Sequence, residues 1–219
     1  MKRKILMIVS FVLGIVLLAI LVPFIILGIR TNKLNASYEY LKDSEYYQEK
    51  VEIEGIELVT QHVSCGYASI EMISSYYGAK VTEDELNAKN KSISTSSTNG
   101  FLKEINASIP SKTFIKQTYL KDDVLIKEIY ESLKKGNPVV LEWAAMYEGV
   151  WTLHFSIVTA LDIKNDLVTI YNPYGYIENI GLETFINRTT FKAFDKMPLF
   201  LKFGFAFNAF TKNSIFYVK

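Results

Sequence analysis

The sequence predicts an α+β domain carried on one membrane-spanning helix, and three observations predict it. Lys2-Arg3-Lys4 precede a long apolar run from Ile5 to Ile29. Capped, helix-compatible stretches then occupy the chain from Cys65 to Gly136. From Val139 onward, runs rich in β-branched and aromatic residues alternate with turn residues. Helices first and an antiparallel sheet after them is the order of an α+β domain.

As a helix, the apolar run measures about 37 Å at ~1.5 Å per residue, enough to cross a bilayer with some tilt. A cleaved signal peptide has a shorter apolar region, ~7–15 residues, and a small-x-small cleavage site. Here the run ends in Leu27-Gly28-Ile29-Arg30, so an uncleaved anchor is expected, with Pro23 as a point for a kink. The positive-inside rule keeps Lys2-Arg3-Lys4 in the cytoplasm and puts the rest of the chain outside, although Arg30, Lys33 and Lys42 on the other side make the bias small. The expected organisation is a cytoplasmic tail over 1–4, a transmembrane helix over 5–29, a juxtamembrane stalk or short helix over 30–50, and one domain over 51–219.

The 219 residues leave room for a single domain, and 49% hydrophobic with 14% aromatic residues supply a substantial core. A formal net charge of +1 gives no pointer to nucleic acid as a partner. With one cysteine there is no internal disulfide. The reading asks for no cofactor and no metal.

Val51 to Val59 reads as a strand leading into a polar loop, Gln61 to Ser64. A helix follows from Cys65, and Gly78 ends it as a C-terminal cap. Ala68, Met72 and Tyr76 recur at helical spacing and hold that helix in a core. Thr82-Glu83-Asp84-Glu85 is a capping box opening a second helix toward Asn90. Ser92 to Gly100 reads as a loop, Phe101 to Ala107 as a short helix and Thr113 to Tyr119 as a strand. Asp122-Asp123 cap a helix through Leu125, Ile129 and Leu133 that stops at Gly136-Asn137-Pro138.

Val139 to Trp143 suits a buried strand. After a Trp151-Thr152-Leu153 loop, His154 opens a second strand running to Leu161. Asp162 to Asp166 is a hairpin loop, Leu167 to Tyr171 the returning strand, and Asn172-Pro173-Tyr174-Gly175 a turn. Leu182 to Asn187 reads as a short helix, and Leu199 to Phe207 and Ser214 to Val218 as late strands. Lys202 interrupts the aromatic C-terminal stretch, which is too short for a second span.

Cys65, the only cysteine, falls on the first turn of its helix. Unpaired N–H groups and the helix dipole there favour an anion, so the thiol is expected to ionise more easily, and the thiolate is the nucleophile. Gly66 removes a side chain beside the sulfur. Gln61 lies upstream, where its amide N–H can turn toward an oxyanion. A lone cysteine is also commonly a small buried hydrophobe, and both readings stand unless a base is found. His62 would need a tight reversal to face the sulfur. His154, at a strand end, is the natural base, and histidine suits that role by its near-neutral pKa. A base histidine needs a group that fixes its tautomer, and the tight hairpin brings Asn172 back beside His154 to accept from its ring. His154 as an ordinary strand residue stays open on the pattern alone.

Gln-x3-Cys-Gly-Tyr-Ala-Ser-Ile-Glu-Met-Ile-Ser-Ser-Tyr-Tyr-Gly resembles the nucleophile segment of the double-glycine leader peptidases, the bacteriocin-processing branch of the papain-like cysteine peptidases. Gly136-Asn-Pro-Val-Val, His154-Phe-Ser-Ile-Val-Thr-Ala and Asn172-Pro-Tyr-Gly follow that family's order, and the likeness covers roughly residues 56–187. It implies a papain-like fold, with Cys65 as nucleophile, His154 as base, Asn172 as orienting residue and Gln61 as oxyanion donor. There are two departures. The family usually has Asp where this chain has Asn172, and it places its Gln six residues before the Cys rather than four.

The expected function is that of a stand-alone, membrane-anchored thiol peptidase, held in the bilayer by its N-terminal helix and acting on a peptide or protein outside the cytoplasm. The chain lacks a phosphate-binding Gly-x4-Gly-Lys-Ser/Thr motif. A second reading is a peptidase-like domain that binds a peptide or protein at the membrane without cutting it, and a third is acyl transfer by the same residues.

Overall fold

The computed structural model describes residues 2–31, 37–90, 95, 97–192 and 196–219. The apolar run is one helix, α1 (Lys2–Thr31), which contains Pro23. Its apolar side chains stand exposed almost all round, from Ile5 through Ile29. Only its last turns touch the rest of the described chain, where Leu27 is buried and Phe24 meets Phe203; a helix apolar on every side and bare along most of its length is not one built to meet water.

Residues 32–36, within the segment read as a stalk, lie outside the described residues. Beyond them come a short helix, α2 (Glu39–Lys42), and a 3₁₀ turn, Glu45–Tyr47. Tyr38, Leu41 and Tyr47 are buried in the main core, and the Tyr38 hydroxyl donates to Asp122 over 3.0 Å. This part of the stalk is therefore packed against the domain.

The expected strand over Val51 to Val59 is only a two-residue β1 (Val51–Glu52). The rest is extended chain without a ladder, pinned where Ile53 donates to the Thr159 carbonyl (2.7 Å) and Gln61 to the Pro173 carbonyl (2.7 Å). Then α3 (Cys65–Tyr76) ends at Tyr77, with Gly78 at φ +78° turning the chain away. The capping box forms as the sequence predicts: Glu85 N–H donates to Thr82 Oγ1 (3.3 Å) and Thr82 N–H to Glu85 Oε2 (3.0 Å), opening α4 (Glu83–Asn90). Of the loop read over 92–100, residues 92–94 and 96 lie outside the described residues, and its end already belongs to α5 (Thr98–Ser108). Next come β2 (Phe114–Gln117) and α6 (Asp122–Lys134).

In the second half, β3 (Val139–Tyr147) and β4 (Val150–Asp162) form a long hairpin with its turn at Glu148-Gly149. Trp151-Thr152-Leu153 is thus strand rather than loop, and His154 sits inside β4, opposite Trp143. Then follow β5 (Leu167–Asn172), β6 (Tyr176–Ile180), α7 (Leu182–Thr189), α8 (Leu199–Ala206) and β7 (Ser214–Val218). The sequence reading had Leu199 to Phe207 as a strand; it is a helix, because Leu201 and Phe205, one helical turn apart, share a small cluster with Ala144, Phe191 and Met197.

Among the described residues the sheet has seven strands, all antiparallel, in the order β2-β7-β3-β4-β5-β6, with β1 paired to the far end of β4. β7, last in sequence, lies between β2 and β3. The main core fills the space between the helices and the sheet, where Tyr67, Ile70, Phe101, Ile129, Ile157 and Phe216 are all fully or almost fully buried. One irregularity matters for the site. The β4–β5 register shifts between Val158 and Ala160, a bulge at Thr159.

Candidate active site

The loop before Cys65 is held by a residue from another helix. The backbone N–H groups of His62, Val63 and Ser64 all donate to the Glu83 carboxylate, at 2.8, 2.8 and 2.6 Å. Glu83 is buried, and its own N–H donates to Glu71 Oε2 (2.6 Å). Three consecutive N–H groups aimed at one carboxylate fix the loop's curvature, and with it the place where α3 begins. Ser64 is the N-cap in an extended conformation, but its side chain makes no capping bond; its Oγ lies 2.9 Å from Thr95 Oγ1. Gly66 is required here. A Cβ on it would fall 2.4 Å from Thr95 Cβ, so only glycine lets residue 95 close over the start of the helix.

His154 is buried on β4, and its Nε2 is 2.8 Å from Asn172 Oδ1. The surrounding donors and acceptors fix the proton on this ring. The Tyr174 N–H, which only donates, reaches Asn172 Oδ1 over 2.9 Å. The Glu178 carboxylate receives Asn172 Nδ2 over 2.7 Å. Oδ1 is therefore the acceptor, His154 Nε2 carries the hydrogen, and Nδ1 keeps its lone pair. Glu178 is in turn paired with the buried Arg188. Arg188 Nε donates to the Ala144 carbonyl (2.7 Å), and its guanidinium lies 3.5 Å over the Trp143 ring. Tyr174 stacks on the His154 ring with centroids 4.0 Å apart, and its hydroxyl shares a hydrogen bond with Thr152. Thus the His154 ring is gripped on one face by Tyr174 and at one nitrogen by an Asn172–Glu178–Arg188 chain.

Cys65, His154 and Gln61 line one cleft of about 280 Å³, together with Val63, Ser64, Thr95, Glu142, Leu153, Phe155 and Tyr174. Asn172 is fully buried behind the histidine. His62 is not among the lining residues. Gln61 has its Oε1 buried without a hydrogen-bond partner among the described residues. Those residues also include no group of three or more His, Cys, Asp or Glu side chains placed to hold a metal ion.

The protonation state differs from the sequence expectation. Cys65 keeps some exposure to the cleft, yet the protein packed around it pushes the thiol up to about 11, with the Glu142 carboxylate adding to the rise. The N–H groups of Phe155, Gly66 and Cys65 pull the other way without prevailing. Desolvation therefore outweighs the helix terminus that was expected to favour the thiolate. Burial also pushes His154 down to about 3; the Asn172 bond opposes this and the Arg188 charge adds to it. At neutral pH the resting pair is a thiol and a neutral imidazole. Glu142 is pushed up to about 7 by burial, against Thr211 Oγ1, which donates to it over 3.0 Å, and Lys116.

Sequence reasoning singled out Cys65, His154, Asn172 and Gln61, and the fold gathers all four around the cleft. It missed the roles of Glu83, Glu178, Arg188 and Tyr174 in holding them. Glu83 was visible only as part of the capping box. Nothing in the spacing of Glu178 and Arg188 marks a pair that meets through a strand and a helix.

A search of curated proteins finds no match to this chain. Among solved structures, a putative C39-like peptidase from Bacillus anthracis aligns with a TM-score of 0.46 and 18% identity, covering 78% of this chain and 98% of that one. A double glycine motif protease from an AMS/PCAT transporter, solved in complex with the leader peptide, aligns with a TM-score of 0.44 and 16% identity, covering 78% and 99%. The model of the Peptidase_C39 like family matches residues 53–197, a span that holds Gln61, Cys65, His154 and Asn172, and the chain belongs to that family.

Proposed function

We propose that this protein is a cysteine peptidase anchored in a membrane by α1, with Cys65 as nucleophile, His154 as general base and acid, Asn172 as the residue orienting the ring, and Gln61 with the Cys65 N–H as oxyanion donors. The observation that carries the reading is the His154–Asn172 hydrogen bond beside a cleft that Cys65 also lines. That bond leaves His154 Nδ1 as the basic nitrogen.

The chemistry follows from the neutral resting pair. As the Cys65 sulfur adds to the carbonyl carbon of a bound peptide, its proton passes to His154 Nδ1, and the imidazolium leans on Asn172 through Nε2–H. The negative charge moves to the carbonyl oxygen, at the N-terminus of α3. Collapse of this adduct breaks the C–N bond, and His154 gives its proton to the leaving amine. A water then attacks the thioester, with His154 again taking a proton, and returns the acid product and the thiol. Substrate that excludes water from the cleft strengthens each charge interaction there. The basic residues before α1 support an orientation with the domain on the outer face.

Cys65→Ala and His154→Ala should each abolish hydrolysis of a peptide library incubated with the membrane-reconstituted protein. Product masses separate hydrolysis from transfer to an amine. Turnover retained by either variant rules this reading out.

One observation favours a second reading, a domain that binds a peptide without cutting it. The thiol is held protonated by its surroundings. Iodoacetamide decides between the two. In a working site His154 takes the thiol's proton as sulfur attacks, so His154→Ala slows alkylation at neutral pH; an inert thiol alkylates at the same rate with or without the histidine.

A further inference from the structure

The helix that sequence composition mistook for a strand has no soluble explanation for its outer face. On α8, Leu201 and Phe205 point into the small core. The opposite side carries Leu199, 54% exposed, and Phe200, 67% exposed, and Phe207 just beyond the helix is 47% exposed. Lys202 is its only charged residue. A helix apolar on both faces is not one that meets water.

Its neighbour says what it does meet. Phe203 packs edge-on against Phe24 of α1, with ring centroids 5.5 Å apart. Arg30, at the end of α1, donates to the Ala206 carbonyl over 2.5 Å. α8 is thus fastened to the last turns of the helix proposed to span the bilayer. Phe24 lies about 8 Å inside Ile29 at ~1.5 Å per residue, within the ~5–10 Å depth at which amphipathic helices lie in a membrane surface. The surroundings are cationic as well. Burial, and after it the charges of Lys192 and Arg30, push the Lys212 ammonium below its ordinary value, which places three cations within reach of one another beside the α1 exit.

We infer that α8 lies in the headgroup–acyl boundary of the bilayer, with Leu199, Phe200 and Phe207 among the lipid chains and Arg30, Lys192 and Lys212 toward anionic phospholipid headgroups. The inference rests on α1 being a retained membrane span. α1 alone is a tether, free to swing; α8 beside it makes a second contact that holds the catalytic domain at one height and tilt over the leaflet. The cleft then meets substrates that lie at, or are emerging from, the membrane surface.

The test uses the full chain with photoreactive benzoyl-phenylalanine at Phe200, reconstituted in vesicles of phosphatidylcholine with phosphatidylglycerol. A parallel preparation carries the probe at Leu13. Illumination should yield lipid adducts at both positions in intact-protein mass spectra, and the protein should stay in the membrane through alkaline carbonate. Adduct yield at Phe200 should fall about threefold or more in phosphatidylcholine alone, since each basic residue near an anionic surface adds attraction; an unchanged yield removes the headgroup part of the inference. Lipid adducts at Leu13 without any at Phe200 overturn the placement of α8 while leaving the anchor standing. Adducts joining two protein chains through Phe200 overturn it in favour of a contact between copies. Release by carbonate, with no lipid adduct at Leu13, sinks the anchor and the inference together.

Discussion

Asn172 gives its amide N–H to Glu178, Nδ2 to Oε1 over 2.7 Å, so the residue that holds His154 is itself backed by a carboxylate. This alters what an aspartate would do there, although the resemblance makes aspartate the usual occupant. Asn172→Asp sets two carboxylates against each other, and one must keep a proton. At about pH 8 the variant should lose about tenfold in kcat/KM, ~1.4 kcal/mol. Adding Glu178→Gln supplies an amide that donates to the new Asp and still accepts from Arg188, and should recover most of the loss. The check is a double-mutant cycle on kcat/KM. An Asn172→Asp variant with full activity at that pH removes Glu178 from any part in the site.

Glu83 offers a different test, because it touches no candidate catalytic side chain. In Glu83→Gln a single acceptor oxygen faces three N–H donors, and the new NH₂ group repels one of them. The expected cost is about 1–3 kcal/mol in unfolding free energy. Alkylation of Cys65 should quicken, because loosening the start of α3 admits water to a thiol that burial holds protonated. Equal melting temperatures and equal alkylation rates would show that the loop holds its shape unaided.

Gly66→Ala should destabilise the protein by about 1–3 kcal/mol, the cost of overpacking, because its methyl group meets Thr95. Thr95→Gly removes the clashing atoms and should restore part of the stability. If the double variant unfolds no later than Gly66→Ala alone, the clash at Thr95 is not the cause.

Glu142 sets a pH dependence whose sign is fixed. Its folded pKa, about 7, lies above the ordinary carboxylate value. Between about pH 4.5 and that value the native state holds a proton the unfolded chain has lost, so this group lowers stability as pH rises through the window. Glu142→Gln keeps an acceptor for Thr211 and has nothing to ionise. Urea unfolding in detergent micelles should show the variant gaining on the wild type by at most about 3 kcal/mol at about pH 8, and by nothing from this source at about pH 4. A stability difference that does not change with pH would mean that Glu142 ionises freely in the fold.

The sequence showed the Cys65 helix clearly, since the polar loop before it, the helical period and the terminal glycine all agree across Gln61 to Gly78. It showed less of the sheet. Short apolar runs fit strand and helix alike, which is why α8 read as a strand. β6, with Glu178 and Asn179 in its middle, carries too little apolar signal to read as one. The meeting of His154 and Asn172 was named correctly but for an incomplete reason. Counted from the Asp162–Leu167 pair without a bulge, Asn172 comes level with Ile157 and faces away from His154. The bulge at Thr159 sets it level with Ser156 instead, on the histidine's side of the sheet. Such a shift leaves no mark in a period-two pattern. The thiol was misjudged because helix position is a local property and desolvation comes from distant parts of the chain.

The place of β7 bears on when this protein becomes itself during synthesis. Ser214–Val218 is made after the other described strands, yet it fills the gap between β2 and β3. Until it arrives, β3 presents an open edge, and the hairpin carrying His154 has a neighbour on one side only. α3 can coil early, because helices need only nearby residues, whereas this sheet waits for the long-range pairing of β7. A nascent chain would therefore carry the Cys65 helix without a finished sheet behind His154. Folding order alone would delay the assembly of the cleft around Cys65 and His154 until β7 has been made.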